Sequence, residues 1–333
     1  MYKTVLKFIK KPAFKITTSL LIIVALLYWL PWTELKETLG KISLISWLLV
    51  LVGFIAGHMI GVVKWKLLVN MGKTPLPFLV AVRCYFAGLF SNLFLPSLAG
   101  GDIVKTGLAI RYNKEKGTSI FGTILDRIID TASVVFIIIV AALLSPKFVQ
   151  PQDQKIIYLI VGIFLAMFLS GVIFLAIPVE RIKNQKIQDV LKRAREILKL
   201  VYKKPARPVI AFILSLSVQS TFIFLTIYLA GICDIHIPVV LWFLVWPLAK
   251  LSALLPISLG GIGVREVALA ALLSRVSIPL ADSVALGLLW ESVLISGGLF
   301  GGLLFLALKY VSSQDIPSLT SFSKTDEPMN ELP

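Results

Sequence analysis

Two stretches of eleven residues, 160 residues apart, share an order of residue types that can do chemistry. They are Leu95-Pro96-Ser97-Leu98-Ala99-Gly100-Gly101-Asp102-Ile103-Val104-Lys105 and Leu255-Pro256-Ile257-Ser258-Leu259-Gly260-Gly261-Ile262-Gly263-Val264-Arg265. Leucine, proline, both glycines and valine recur, and Lys105 faces Arg265. Pro96 and Pro256 lack the backbone N–H a helix needs, so each marks a break. The Gly100-Gly101 and Gly260-Gly261 pairs permit positive φ or close backbone approach, and Gly263 adds a further glycine to the second stretch. A helix starting just after Gly101 or Gly261 aims free amide groups at the break, an arrangement that attracts phosphate-like anions. Lys105 and Arg265 then lie about one turn into those helices, and the planar fork of arginine suits a bidentate phosphate contact. Proline and glycine are also common in membrane helices. A shared eleven-residue order nevertheless favours a true internal repeat.

Further charges sit in apolar surroundings. Asp126 and Asp130 are four residues apart and share a helix face. Arg127 stands between them and can pair with an acid of a neighbouring helix. Glu291 lies beside Trp290 within a long apolar run, Arg83 and Lys250 lie in the arms of the two proline-glycine segments, and Glu266 follows Arg265. Isolated charges in hydrocarbon are expensive, so these side chains should face the bundle interior or a wet cavity. Two readings stand. One is a polar cavity that accommodates phosphate, with acids that hold or release the cations; the other is a set of ion pairs locking the halves together. Asp102 is open in the same way, between a ligand site and a cap of the following helix. The tryptophans Trp29, Trp32, Trp47, Trp65, Trp242 and Trp246 read as interface anchors, with an aromatic cage for a cation as the weaker alternative.

No nucleophile elbow, Walker motif or dinucleotide fingerprint is present. His58, His236, Cys84 and Cys233 stand alone, without metal spacing. No catalytic residue, metal or cofactor is therefore assigned, and an enzyme within the membrane is the less favoured reading.

The elements that must position these residues are membrane spans. Of 333 residues, 57% are hydrophobic and 15% charged, and the mean hydropathy is +0.90. Soluble domains are nearer 45–50% apolar and 25% charged. Apolar runs at Ile16–Leu30, Leu44–Val63, Ile120–Leu144, Ile156–Ile177, Val209–Ala230 and Val284–Leu308 approach or reach the length of a crossing. The first follows five lysines but runs into Tyr28-Trp29-Leu30-Pro31-Trp32, not into a cleavage site, so it is a span and not a signal peptide. The formal charge of +15 flanks the spans. Positive-inside bias accounts for it, and nucleic acid is not expected as a partner.

The same bias gives a topology. The lysine-rich N-terminus is cytoplasmic, the balanced turn at 31–42 external, and the turn at 64–76, with Lys64, Lys66 and Lys73, internal. If 76–95 crossed alone, Lys105, Arg111, Lys114, Lys116 and the ten basic residues of 180–207 would all lie outside. A re-entrant hairpin over 76–110 repairs both violations, and a tilted pair of short spans has the same parity. A second hairpin over 238–275 enters from the other side. The expected fold is all-α: a polytopic membrane protein with about six full spans plus two re-entrant helical hairpins, both termini cytoplasmic. A single membrane domain, 1–333, divides into repeat halves 12–146 and 155–309, joined by a short external loop. Three crossings per half invert the second half relative to the first, the architecture of many carriers. Residues 180–207 form a basic amphipathic segment at the cytoplasmic surface, and 312–333 a disordered cytoplasmic tail.

Leu95–Lys105, continued by Ser119-Ile120-Phe121-Gly122-Thr123-Ile124-Leu125-Asp126-Arg127, resembles the first signature of the lysylphosphatidylglycerol synthase transmembrane-region family. Leu255–Glu266 resembles its second. The resemblance covers roughly 15–308. It implies a flippase-like core in the plasma membrane, with Gly100, Gly101, Asp102 and Arg127, then Pro256, Gly260, Gly261, Gly263 and Glu266, as the residues carried over. Ile262 departs from the pattern, standing where the first half has Asp102. The soluble aminoacyl-transferase domain of better-understood relatives is not in this sequence, so lysyl transfer is not expected here. The leading expectation is movement of an anionic phospholipid or a polyprenyl-phosphate-linked lipid between leaflets. The rival is a lipid-binding membrane subunit serving a separate glycosyltransferase or synthase, and a carrier of a soluble substrate is a third reading. Oligomeric state is not legible.

Overall fold

A computed structural model describes residues 32–72, 74–95, 100–112, 116–145, 201–252 and 263–308, with isolated positions between 162 and 199. The expected spans at 16–30 and 156–177, most of the basic segment 180–207, the tail 312–333, and Pro96, Pro256, Gly260 and Gly261 lie outside these residues.

The described residues are all-α. In chain order the helices are α1 (Trp32–Gly40), α2 (Leu44–Val69), α3 (Phe78–Ser91), α4 (Gly100–Tyr112), α5 (Lys116–Leu144), α6 (Ala206–Ile232), α7 (Val239–Ser252), α8 (Val264–Ser274) and α9 (Leu280–Ala307). Four of them, α2, α5, α6 and α9, are long and apolar enough to cross a membrane. At 1.5 Å per residue the 26 residues of α2 span about 39 Å, against a hydrocarbon core of about 30 Å. Helices α3 and α7 have 14 residues each, about 21 Å, and fall short of it.

Local sequence explains where the helices begin. Ser43 caps α2 by accepting the Ser46 amide at 3.0 Å. Pro77, Pro205 and Pro279 stand at the N-caps of α3, α6 and α9, where a missing N–H costs nothing. Gly263 precedes α8 with φ at 82°, a conformation that glycine adopts without penalty. The expected external turn at 31–42 is instead largely the short helix α1, which packs on α9.

The packing repeats along the chain. Helices α2 and α6 pack on each other, α3 packs on α4 as α7 does on α8, and α4 meets α5 as α8 meets α9. The long helices then exchange: α9 lies against α3, and α5 lies against α7. Contacts at the two ends fix the direction of α2 and α6. Lys41, just before α2, pairs with Asp234, just after α6, at 2.5 Å. At the other end Arg207, near the start of α6, donates to the Asn70 carbonyl just after α2, and Lys204 donates to the Met71 carbonyl at 3.3 Å. The two helices therefore run antiparallel.

The Lys41–Asp234 pair is exposed. Its hydrogen bond holds the Asp234 carboxyl below the usual aspartate value and the Lys41 ammonium above the usual lysine value. Whatever the pair contributes is present at neutral pH. It is lost as pH falls through the depressed Asp234 value, or rises through the raised Lys41 value. Because exposed pairs are weak, Asp234→Asn is expected to leave thermal unfolding in detergent at pH 7 unchanged.

The core does not follow the interface reading of the tryptophans. Trp65, Trp242 and Trp246 are buried among helices and are core residues, not membrane-surface anchors. Trp47 is half-buried and donates to Ser292 Oγ on α9 at 2.8 Å. The α3–α4 pair closes over glycine. A Cβ on Gly88 would meet the Gly101 carbonyl at 2.6 Å, and one on Gly101 would meet the Gly88 carbonyl and the Asn92 side chain. Gly101→Val is therefore expected to cost about 1–3 kcal/mol by forcing the two backbones apart. Gly107→Ala, with open space around it inside the same helix, should instead add about 0.5–1 kcal/mol. Thermal unfolding of both variants in one detergent checks this; equal midpoints would refute the close-approach argument.

Candidate functional site

A cavity of about 290 Å³ lies where both sets of helices meet. Its walls come from the middles of the four long helices: Phe54 to Lys64 on α2, Asp126 to Val134 on α5, Val218 to Phe222 on α6, and Trp290 and Leu294 on α9. The short helices reach it with the ends that face their connections. Tyr85, Gly88 and Leu89 come from the end of α3, and Gly101, Asp102 and Lys105 from the first half of α4. Trp246, Lys250 and Leu251 come from the end of α7, and Arg265 from the start of α8.

Part of the lining is charged. Lys105 Nζ lies 2.9 Å from Asp102 Oδ1 and 3.2 Å from Asp126 Oδ2. Lys64 Nζ lies 3.1 Å from Asp126 Oδ1 and also pairs with Asp130. Arg127 pairs through Nε with Asp102. Ser215 of α6 donates to Asp130 Oδ1 at 2.5 Å, and Ser133 Oγ lies 2.8 Å from Ser215 Oγ. Three cations and three carboxylates thus tie α2, α4, α5 and α6 together. Desolvation of this kind is tolerated only where every charge has a partner. The shared face expected of Asp126 and Asp130 is the face that receives Lys64.

A second cluster comes from α8 and α9: Arg265 Nη2 donates to Glu266 Oε1 at 2.7 Å and to Glu291 Oε2 at 2.5 Å. Glu266 Oε2 accepts the Gly263 amide at 2.7 Å. In both places a cation early in a short helix pairs with an acid of the long helix that follows: Lys105 of α4 with Asp126 of α5, and Arg265 of α8 with Glu291 of α9. Lys250 differs. Among the described residues its ammonium meets no carboxylate within 4.0 Å; it donates to Gln219 Oε1 at 2.7 Å and sits 6.0 Å above the Phe222 ring. Aromatic rings line the same cavity. Phe54, Phe222, Trp246 and Trp290 contact one another at centroid distances of 4.8–6.1 Å.

The expected site residues do not all gather here. Gly101, Asp102, Lys105, Asp126, Arg127, Asp130, Lys250 and Arg265 line the cavity, and Glu266 and Glu291 stand behind Arg265. Gly100 lies against the Leu95 side chain instead. Arg83 donates to the Tyr112 hydroxyl at 2.7 Å and stacks on Phe305, so it ties α3 to α4 and α9. Asp102 is not the cap of α4: that helix begins at Gly100, and Asn92 Oδ1 takes the Gly101 amide at 2.8 Å. Lys105 is in the second turn of α4, whereas Arg265 is the second residue of α8, so the two cations are not at equal depth. Lys64 was expected in an internal turn and stands inside α2, 2% exposed. Tyr85 and Gln219 were not singled out, and His58 was weighed only as a metal ligand; His58 Nδ1 lies 3.3 Å from the Tyr85 hydroxyl. Their signal in the sequence is faint, each being a single polar group in an apolar run.

The model of the family described as the lysylphosphatidylglycerol synthase TM region matches residues 16–301. The chain belongs to that family and is a multi-pass protein of the cell membrane. No curated protein and no solved structure matches it.

Proposed function

Starting from that membership, we propose that this protein carries an anionic phospholipid or a polyprenyl-phosphate-linked lipid between leaflets, using the cavity between α2, α5, α6 and α9. The observation that carries the reading is the mixed lining: five cations and three carboxylates share the cavity with the rings of Phe54, Phe222, Trp246 and Trp290. A lipid headgroup with the first part of its chains combines the same two chemistries. The volume, about 290 Å³, is near the lower end for ligand pockets and suits a headgroup, not a whole lipid.

Three features support a carrier. Long helices α2 and α6 run antiparallel, as two halves of opposite orientation require. Helices α3 and α7 are too short to cross, and their connection-facing ends reach the middle of the long helices, as re-entrant hairpins entering from opposite faces would. The halves 12–146 and 155–309 exchange their last helices, so each wall of the cavity contains parts of both.

Reconstitution in liposomes with a fluorescent headgroup-labelled lipid tests the proposal. Wild-type protein should expose inner-leaflet probe to an impermeant quencher faster than empty vesicles. Arg265→Gln and Glu266→Gln should not, while remaining folded. Transport at the wild-type rate in both folded variants would sink the reading. Retained lipid binding without any transport in the wild type would favour a lipid-binding subunit for a separate glycosyltransferase or synthase.

A further inference from the structure

Five cations line the cavity, and they are not equivalent. Lys64, Lys105 and Arg265 each contact two carboxylates, and Arg127 contacts Asp102. A ligand anion approaching any of these must compete with a carboxylate already in place. Lys250 has no such competitor among the described residues; its acceptor is the neutral Gln219.

The hydrogen-bond inventory then gives the seat a polarity. An ammonium offers three donors and no acceptor. Gln219 takes one of them, which fixes its amide oxygen toward Lys250 and leaves its NH2 as a donor elsewhere. Both side chains line the cavity. The pair presents donors only: the ammonium hydrogens not given to Gln219, and the amide of Gln219. A group with several acceptor oxygens and negative charge fits such a set, and a cationic or hydroxyl-only group does not. Trp246, one turn before Lys250, and Trp290 bound the same place with apolar surface. An anion lodged here has hydrocarbon-compatible walls beside it.

We propose that Lys250 and Gln219 form the seat for the phosphate of an amphiphilic ligand, and that the Lys64, Lys105 and Arg265 clusters act as walls and not as its direct partners. This rests on the cavity being the ligand site and assigns the residues that recognise the anion within it. Neither residue belongs to the repeated eleven-residue stretches. The shared chemistry is a phosphate, which could arrive on a lipid or free. The aromatic rings in the lining argue for the lipid.

The test uses the full chain in a zwitterionic detergent and reads tryptophan fluorescence, since Trp246 and Trp290 line the cavity. The probes are dihexanoyl phosphatidylglycerol, a short-chain phosphodiester monoanion, and glycerol 1-phosphate, a headgroup without chains. Wild-type protein should bind the lipid more tightly than the soluble phosphate. Lys250→Gln should weaken lipid binding by about tenfold or more, the range of one charge-assisted hydrogen bond. Lys250→Arg should restore most of it, and Gln219→Leu should weaken it less than Lys250→Gln. Circular dichroism melting checks that each variant is folded. Lys250→Gln binding the lipid as wild type does would overturn the seat. Glycerol 1-phosphate binding as tightly as the lipid would overturn the lipid assignment. If wild-type protein moves no lipid in liposomes while this binding series holds, the carrier reading fails and the seat stands.

Discussion

Lys64→Met is expected to be the most destabilising single substitution of a charged side chain in this protein, by about 3–5 kcal/mol. The side chain lies 3% exposed between Asp126 and Asp130. Methionine fills a similar volume, so the loss is electrostatic and not a cavity. Asp126 would keep Lys105 as a partner at 3.2 Å. Among the described residues Asp130, its side chain 28% exposed, would keep the Ser215 hydroxyl at 2.5 Å as hydrogen-bond partner. A partly buried carboxylate left with a neutral hydrogen-bond partner is the costly product, since removing one member of a pair held out of bulk water strands the other. The double variant Lys64→Met with Asp130→Asn removes that stranded charge and should recover most of the lost stability. Lys66→Met, two residues along the same helix and half-buried, should change little. Thermal unfolding in one detergent orders the three variants. A melting midpoint for Lys64→Met equal to that of wild type would show that the network contributes nothing to folding.

The same lysine marks where the sequence is hard to read. Positive-inside reasoning assigns a lysine near the end of an apolar run to a cytoplasmic turn. Nothing local separates a lysine that snorkels outward from one that turns inward. What separates them is a partner 62 and 66 residues away, the Asp126 and Asp130 of α5. Those two acids were legible as a face, because four residues is a helical spacing, but the cation they hold was not. Trp65, Trp242 and Trp246 teach the converse point. An indole suits a membrane interface by composition, yet the Trp65 N–H finds Thr123 Oγ1 at 3.0 Å inside the bundle, so the polar handle does not require the surface.

Other features were legible because they are local. Gly101 of the first repeated stretch marks a close approach of α3 and α4, and the charged residues beside it line the cavity. Helices α2, α5, α6 and α9 follow four of the apolar runs that approach or reach the length of a crossing. Gln219 was missed because an uncharged amide within an apolar run raises no alarm. Its meaning appears only when α7 brings Lys250 against it. The two readings left open for Asp102 could not be separated for a related reason: the residue that takes the Gly101 amide is Asn92, nine positions earlier in the sequence.

Arg265→Gln is expected to abolish lipid movement, and the reason can be separated from simple unfolding. One guanidinium nitrogen joins Glu266, on its own helix α8, to Glu291 on α9. Glutamine cannot neutralise either acid, so two partly buried carboxylates face each other across the gap. The loss should be about 2–5 kcal/mol, felt in stability and in transport together. Arg265→Gln combined with Glu291→Gln removes the excess charge and should regain most of the stability. It should not regain transport, because α8 would still lack the tether that holds the start of the helix at the cavity. Arg265→Lys keeps the charge and should retain partial transport, since an ammonium reaches both acids but without the fixed fork. The pattern to look for is a double variant that melts near wild type and yet moves lipid no faster than empty vesicles. If the double variant transports as wild type does, the ion triad is only a stabilising pair of contacts, and the tether of α8 to α9 plays no part in carrying the lipid.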